Sequence, residues 1–290
     1  MDFSDLERVD KQCMFKIYDK WPEIATDSME TKFEKLDFKD IDHIVFAGMG
    51  GSGSIGDTIS TILSKKDIHV SNVRGYLLPK TVDENTLVIA TSVSGNTEEV
   101  LNILKNVNKT NAKAVGFSSG GLLEKYCVSN NIFYQKIPMI HSPRASLTSF
   151  LYSILSILDP ILPIDESEIY ESISFMKKIR DGIYSKNLSN ENSALDLAKF
   201  TRDIVSIYYP RGFHSAAIRY KNCLQENTKL HAIAEDVIES CHNGIVAWEK
   251  ESVVKPVLIQ GKDDHEKTIL RWKILKEFFE MNDIKYKVIN

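Results

Sequence analysis

The chain has 290 residues, 43% of them hydrophobic and 26% charged, with a formal charge of −4. This length predicts two domains of roughly 100–150 residues, and the composition is globular rather than disordered. The small acidic excess, with no block of Lys or Arg, excludes a nucleic-acid partner held on a basic face.

Leu6 to Trp21 reads as an amphipathic helix, and the charged, mixed stretch to Asp42 forms strands poorly, so residues 1–38 are expected to be an N-terminal helical arm. The acidic start Met1-Asp2-Phe3-Ser4-Asp5-Leu6-Glu7 is unlike a signal peptide, and no apolar run reaches about 18 residues, so a cytoplasmic protein without membrane contact is predicted. The four cysteines, Cys13, Cys127, Cys223 and Cys241, show no CxxC or Cys/His spacing, which supports neither disulfides nor zinc.

His43-Ile44-Val45-Phe46-Ala47 is an apolar run ending in Gly48-Met49-Gly50-Gly51-Ser52-Gly53, with a helical pattern over 55–64. The same grammar recurs in Leu87–Ala90, the loop Thr91–Asn96 and a helix from Thr97 to about Asn106. A third instance is Ala112–Phe117, Ser118-Ser119-Gly120-Gly121 and a helix over 122–128. Repeated βα units with buried β-branched strands predict a parallel, doubly wound sheet, with all three Ser/Gly loops at its ligand-binding carboxyl edge. After Ile132 to Ile137, a helix over 145–158 closes this domain, residues 39–160, and a helical connector occupies 161–200. The pattern restarts at Ile204–Tyr209, with a helix from His214 to Thr228. A helix from Gly244, strands at 253–259 and 285–289 and a helix over 265–281 complete a smaller domain, residues 201–290.

Gly48-Met49-Gly50-Gly51-Ser52-Gly53 satisfies G-x-G-x-x-G, a short pattern compatible with dinucleotide binding or with a tight strand–helix turn. A dinucleotide site wants an acid at the end of the second strand, yet His69-Val70-Ser71-Asn72-Val73-Arg74 ends in a base, which disfavours NAD(P). Ser92-Val93-Ser94-Gly95-Asn96-Thr97 is more specific. Its hydroxyls and glycine precede a helix N-terminus, where free N–H groups and the helix dipole favour an anion such as phosphate. Helix capping by Ser94 or Asn96 is the plainer alternative, and it accounts for one hydroxyl rather than three.

Gly48–Gly53, Ser92–Glu99, Pro143-Arg144, Arg219-Tyr220-Lys221 with Gln225-Glu226-Asn227, and His242-Asn243 occur in one order from about residue 40 to the end. In this the chain resembles the bifunctional phosphoglucose/phosphomannose isomerase family. The resemblance implies an α/β fold of two SIS-type (sugar-isomerase) doubly wound domains, with mainly parallel sheets flanked by helices. It implies that Gly51, Ser52, Ser92, Ser94 and Thr97 bind the substrate phosphate. It also implies that Glu226 is the base moving a proton between C1 and C2, that Arg144 stabilises the enediolate, and that His242 serves ring opening. The reaction so implied needs no metal or cofactor, and its partners are a phosphorylated hexose and a second copy of the chain in a homodimer with shared active sites. Read from the residues alone, Glu226 is foremost a surface carboxylate near a helix end, His242 is equally a capping or core histidine, and Arg144 is also a salt-bridge partner.

Two departures from the family pattern stand near the implied chemistry. Ile238-Glu239-Ser240-Cys241 replaces the usual Pro-Glu-Leu-Asn before the histidine, and the sequence ends on a strand where relatives continue into a helix carrying a lysine that assists at the ring oxygen. The leading expectation is an aldose–ketose isomerase acting on glucose 6-phosphate and/or mannose 6-phosphate. The alternatives are a catalytically impaired sugar-phosphate-binding or regulatory protein on the same scaffold and, less favoured, a nucleotide-dependent oxidoreductase.

Overall fold

The computed structural model describes residues 2–189 and 191–290. The chain forms two compact units that divide between Glu191 and Asn192. The first contains α1 (Phe3–Val9), α2 (Met14–Tyr18), α3 (Trp21–Glu30), β1 (His43–Ala47), α4 (Gly50–Leu63), β2 (His69–Val73), β3 (Thr86–Ser92), α5 (Glu98–Val107), β4 (Lys113–Ser118), α6 (Gly121–Ser129), β5 (Phe133–Lys136), α7 (Leu147–Ile157) and α8 (Glu166–Ile183). The second contains α9 (Ser193–Phe200), β6 (Ile204–Tyr209), α10 (His214–Cys223), β7 (His231–Asp236), α11 (Val237–Ser240), β8 (Val254–Ile259), α12 (Glu266–Met281) and β9 (Lys287–Ile289).

The first sheet has the order β2-β1-β3-β4-β5 with every pairing parallel. Side chains alternate across it. Ile44, Phe46, Leu87, Ile89, Val115 and Phe117 pack with α3, α4, α7 and α8 on one face. Val45, Ala47, Val88 and Ala90 pack with α5 and α6 on the other. Burial of both faces explains why β1 and β3 read as unbroken apolar runs. The chain departs from β1 towards β2 and β3 on opposite sides, so the switch point of this doubly wound sheet lies between the carboxyl ends of β1 and β3.

The second sheet, β7-β6-β8-β9, is also parallel. Val205, Ile207, Ala217, Leu224 and Val257 form the core towards α9 and α10, while Tyr208, Leu258, Trp248, Trp272 and Phe279 form the core towards α12. Buried Tyr208 is satisfied by the Trp248 indole, whose N–H donates to its hydroxyl at 2.9 Å.

Several elements differ from expectation. The arm is three helices, because the Asp10 carboxylate accepts from Phe15 N at 3.0 Å and Cys13 turns left-handed at φ 54°, while Pro22 opens α3. The glycine segment is already helical from Gly50, ahead of the apolar pattern that suggested a start at Ile55. The helical connector expected over 161–200 is interrupted after α8 and restarts where Asn192 caps α9, its side chain accepting from Ala194 N and Leu195 N. The helix expected over 214–228 stops at Cys223 and continues as a single π turn, Leu224–Thr228, closed by left-handed Lys229. In place of the helix from Gly244 there is a 3₁₀ segment, Gly244–Glu249.

Candidate functional site

The loops that follow β1, β3 and β4 all leave the carboxyl edge of the first sheet, and hydrogen bonds knit them together. Val93 N donates to Ser52 Oγ at 3.2 Å, joining the first turn of α4 to the loop after β3. Within that loop Ser92 Oγ and Thr97 Oγ1 stand 2.8 Å apart, and Gly95 N donates to Ser92 Oγ at 3.0 Å. The third loop closes on the second: Ser119 donates from both N and Oγ to Val93 O, and Leu123 N donates to Gly95 O at 2.8 Å. Ser52 and Ser92 are buried, Gly51 and Thr97 are partly covered, and Ser94 is exposed at the rim.

Gly95 makes this closure possible. Its φ is +72°, and a Cβ there would stand 1.7 Å from Gly120 O, so only glycine fits. Gly48 and Gly53 serve a comparable close approach, since a Cβ on Gly53 would meet Gly48 O at 2.8 Å. Thr97 is the N-cap of α5 but makes no side-chain capping bond, and Ser94 Oγ accepts only a long 3.4 Å bond from Asn96 N. Asn96 instead bridges loops, its Oδ1 accepting from Leu122 N at 3.1 Å and its Nδ2 donating to Ser94 O at 3.2 Å. Capping of α5 therefore does not account for the hydroxyl cluster.

Arg144 lies in the turn that carries the chain from β5 to α7. That turn is fixed by Ser146 Oγ, which accepts from Ile140 N at 2.8 Å, and by the indole of Trp21, which donates to Ala145 O at 2.9 Å. Left-handed His141 adds a contact to Gln12 O at 3.1 Å. The N-terminal arm, which sequence reasoning gave no part in the site, thus braces the Arg144 turn.

In the second unit Glu226 is exposed in the π turn after α10, where Lys229 Nζ donates to its backbone oxygen at 2.6 Å. Such turns insert one residue into a helix and recur at functional positions. His242 is exposed after α11, its backbone N donating to Glu239 O at 2.9 Å. The two residues do not come together within this unit. The Glu226 turn precedes β7 at the sheet's amino edge and His242 follows β7 at the carboxyl edge, so a strand about 20 Å long stands between them. Beside His242, the carboxylate of Glu235 fills the space next to Gly244, where a Cβ would lie 3.0 Å from it. Burial, and then the nearby Glu239 charge, raise the Glu235 pKa.

Among the described residues no group of three or more His, Cys, Asp or Glu is placed to hold a metal ion, and no helix is long and apolar enough to cross a membrane. One charged pair was not foreseen. Arg74, just past β2, donates to the carboxylate of Asp57 on α4, which is only 5% exposed.

Two parallel doubly wound sheets, the first with a hydroxyl-lined cradle at its switch point, define a protein of the SIS class. Residues 37–159 match the SIS domain, and residues 190–290 match the bacterial phospho-glucose isomerase C-terminal SIS domain. The chain is 31% identical over 261 residues to a bifunctional phosphoglucose/phosphomannose isomerase of Caldicellulosiruptor bescii, covering 85% of this chain and 77% of that one. It is 26% identical to a D-glucosamine-6-phosphate 4-epimerase of Sulfolobus acidocaldarius, with 82% and 74% covered. Among solved structures, glucosamine-6-phosphate deaminase of Thermotoga maritima shares the fold with a TM-score of 0.69 at 16% identity, over 95% of this chain and 83% of that one. The chain belongs to the bifunctional phosphoglucose/phosphomannose isomerase family.

Proposed function

We propose that the protein interconverts glucose 6-phosphate, mannose 6-phosphate or both with fructose 6-phosphate. The observation that carries the reading is the pairing of the Ser92 and Thr97 hydroxyls in a loop whose Val93 N donates to the Ser52 hydroxyl, at the switch point of the first sheet in a chain of this family. Hydroxyls and backbone N–H groups at the starts of α4 and α5 suit a phosphate dianion, with Gly51 and Ser94 completing the rim.

In this reading Glu226 takes the proton from C2 of the open-chain aldose and returns it to C1, while the hydroxyl proton moves from O2 to O1. Atoms and electrons balance within the substrate, so no outside oxidant enters. Arg144 stabilises the negative charge that builds on the enediolate oxygens, and His242 donates a proton to the ring oxygen as the C1–O5 bond breaks, while the O1 hydroxyl gives up its proton to water and the C1 carbonyl forms. The separation of Glu226 from His242 along β7 favours a homodimer in which the histidine of one copy serves the acid of the other. A cytoplasmic location fits a metabolic substrate of this kind.

A coupled assay of glucose 6-phosphate and mannose 6-phosphate in parallel, with Glu226→Gln and His242→Ala as controls, tests the reading. Turnover abolished by Glu226→Gln supports it. Fructose 6-phosphate raising the melting temperature with no turnover of either aldose would instead favour a sugar-phosphate-binding protein, a reading kept alive by Ile238-Glu239-Ser240-Cys241 preceding His242. Glucosamine 6-phosphate belongs in the same panel, given the relative named as an epimerase.

A further inference from the structure

The segments 48–53, 92–97 and 118–121 that form the cradle contain no Lys or Arg, and the first turn of α5 beside it carries Glu98 and Glu99. The local charge of these loops and of the turn that follows them is therefore negative. Two cations flank these loops: Lys136 at the end of β5, whose Nζ would lie 3.9 Å from a Cβ on Gly120 and is 3.8 Å from Glu124, and Arg74 on the side of the first loop. Arg74 follows β2 directly, level with Gly48, whose N donates to Val73 O at 3.4 Å. Its guanidinium packs against the start of α4: a Cβ on Gly53 would lie 3.3 Å from Arg74 Cζ. On its other side it is gripped by Asp57, one turn further along α4.

The burial of the pair is unequal. The Asp57 side chain is 5% exposed and the Arg74 side chain 37%, so the carboxylate is buried while its partner, packed against Gly53 at the start of α4, is only half-buried. A carboxylate so buried is costly unless a cation meets it, and here its effect is to hold Arg74 against Gly53, the residue after Ser52. The ion pair therefore has two consequences at once. It braces the turn that presents Ser52 Oγ to Val93 N, and it places a guanidinium, paired with Asp57 yet partly exposed, beside loops that carry no Lys or Arg of their own.

We propose that Arg74, oriented by buried Asp57, is a positioning residue for the phosphate subsite, whose charge offsets Glu98 and Glu99 and attracts the dianion. The proposal rests on the phosphate reading of the cradle given above. It concerns ground-state binding, because Arg74 is tied to the phosphate end of the substrate and not to the carbons that exchange a proton. Its loss is expected in KM and not in kcat.

The test compares wild type, Arg74→Gln, Arg74→Lys and the double variant Asp57→Asn/Arg74→Gln, measuring kcat, KM for fructose 6-phosphate, Ki for inorganic phosphate and melting temperature. Arg74→Gln takes the cationic partner from a buried carboxylate, so a fall in melting temperature is expected with about a ten-fold rise in KM and Ki. The double variant removes both charges. It is expected to recover the melting temperature while KM and Ki stay raised by about five-fold or more, with the rise shrinking as salt screens the charge. Recovery of KM and Ki to within about two-fold of wild type in the double variant would show a purely structural pair and overturn the proposal. If neither Gln variant folds, Arg74→Lys decides: it keeps the charge, so Ki within about three-fold of wild type supports the proposal and a rise above ten-fold overturns it. Ser92→Ala/Thr97→Ala separates this from the underlying reading. If that variant binds phosphate as wild type does, the cradle assignment fails. If it loses phosphate while the Arg74 variants do not, only the role of Arg74 fails.

Discussion

Gly95 concentrates the demands of the cradle in one residue. It needs a left-handed backbone and the absence of a side chain, since Gly120 O stands 1.7 Å from where a Cβ would be. Gly95→Ala must open the contact between the loops after β3 and β4. We expect it to cost about 3 kcal/mol in urea denaturation and to abolish stabilisation by fructose 6-phosphate. A loss under about 0.5 kcal/mol would mean that the loops part easily and that their closure is not what shapes the cradle. His43, far from the chemistry at the amino edge of the first sheet, invites a different measurement. It is 5% exposed, its Nε2 lies 3.0 Å from Ser71 Oγ, its Nδ1 lies 3.4 Å from Thr86 Oγ1, and its ring centroid is 4.6 Å from that of His69. Burial, and then the His69 charge, lower its pKa, against a smaller opposing pull from Asp83 and Asp42. A histidine whose folded pKa is depressed binds fewer protons in the native state than in the unfolded chain. Its neutral form therefore contributes stability that is fully present above the ordinary histidine pKa of about 6.5 and is lost as pH falls through and below it. The melting temperature should decline from pH 7.5 to pH 5.5 more steeply in wild type than in His43→Gln, and equal slopes would remove His43 as the cause.

At the scale of elements, the arm and the turn before α7 act as one piece. The Trp21 indole donates to the carbonyl of Ala145, a fully buried residue next to Arg144. Trp21→Phe keeps the ring and removes the donor, so it should cost about 1 kcal/mol of stability. If Arg144 stabilises the enediolate, the same change should lower kcat several-fold while KM for fructose 6-phosphate moves little. A change in KM alone would place the Arg144 turn at the binding step instead. The elements that sequence revealed best are those whose burial is uniform. Ile204–Tyr209 is apolar along most of its length because β6 lies in the middle of its sheet, and its bounds are those read from the sequence. β7 went unseen because it is an edge strand reading His-Ala-Ile-Ala-Glu-Asp, with Ile233 outward and only Ala232 fully inward. The Ser92–Thr97 loop was legible as a candidate anion site because its chemistry is local. The Arg74–Asp57 pair was not, because its partners are 17 positions apart and meet only when β2 lies beside β1. The π turn that displays Glu226 also had no sequence signature, since Leu-Gln-Glu-Asn-Thr continues a helical pattern without a breaker.

At the scale of the molecule, the roles proposed for Glu226 and His242 pose a geometric question, because the carboxylate lies at the amino edge of the second sheet and the histidine at its carboxyl edge. Side chains reach a few ångströms, whereas β7 spans about 20 Å, so one copy of this unit cannot bring both to the same carbon chain. Two copies related by a twofold axis can, because such an axis gives each site one residue from either chain and repeats the arrangement symmetrically. Complementation measures this directly. Glu226→Gln and His242→Ala should each be nearly inactive as purified homodimers. When the two are mixed, partly unfolded and refolded together in equal amounts, half the dimers carry one of each chain. In those mixed dimers one site is doubly defective and the other has both residues intact, so about a quarter of the wild-type activity per site should return. Sedimentation should show a dimer before and after. Activity that stays at the level of the separate variants would place Glu226 and His242 of one chain in the same site, or deny one of them a role. A fully active monomer would leave no place for a shared site at all.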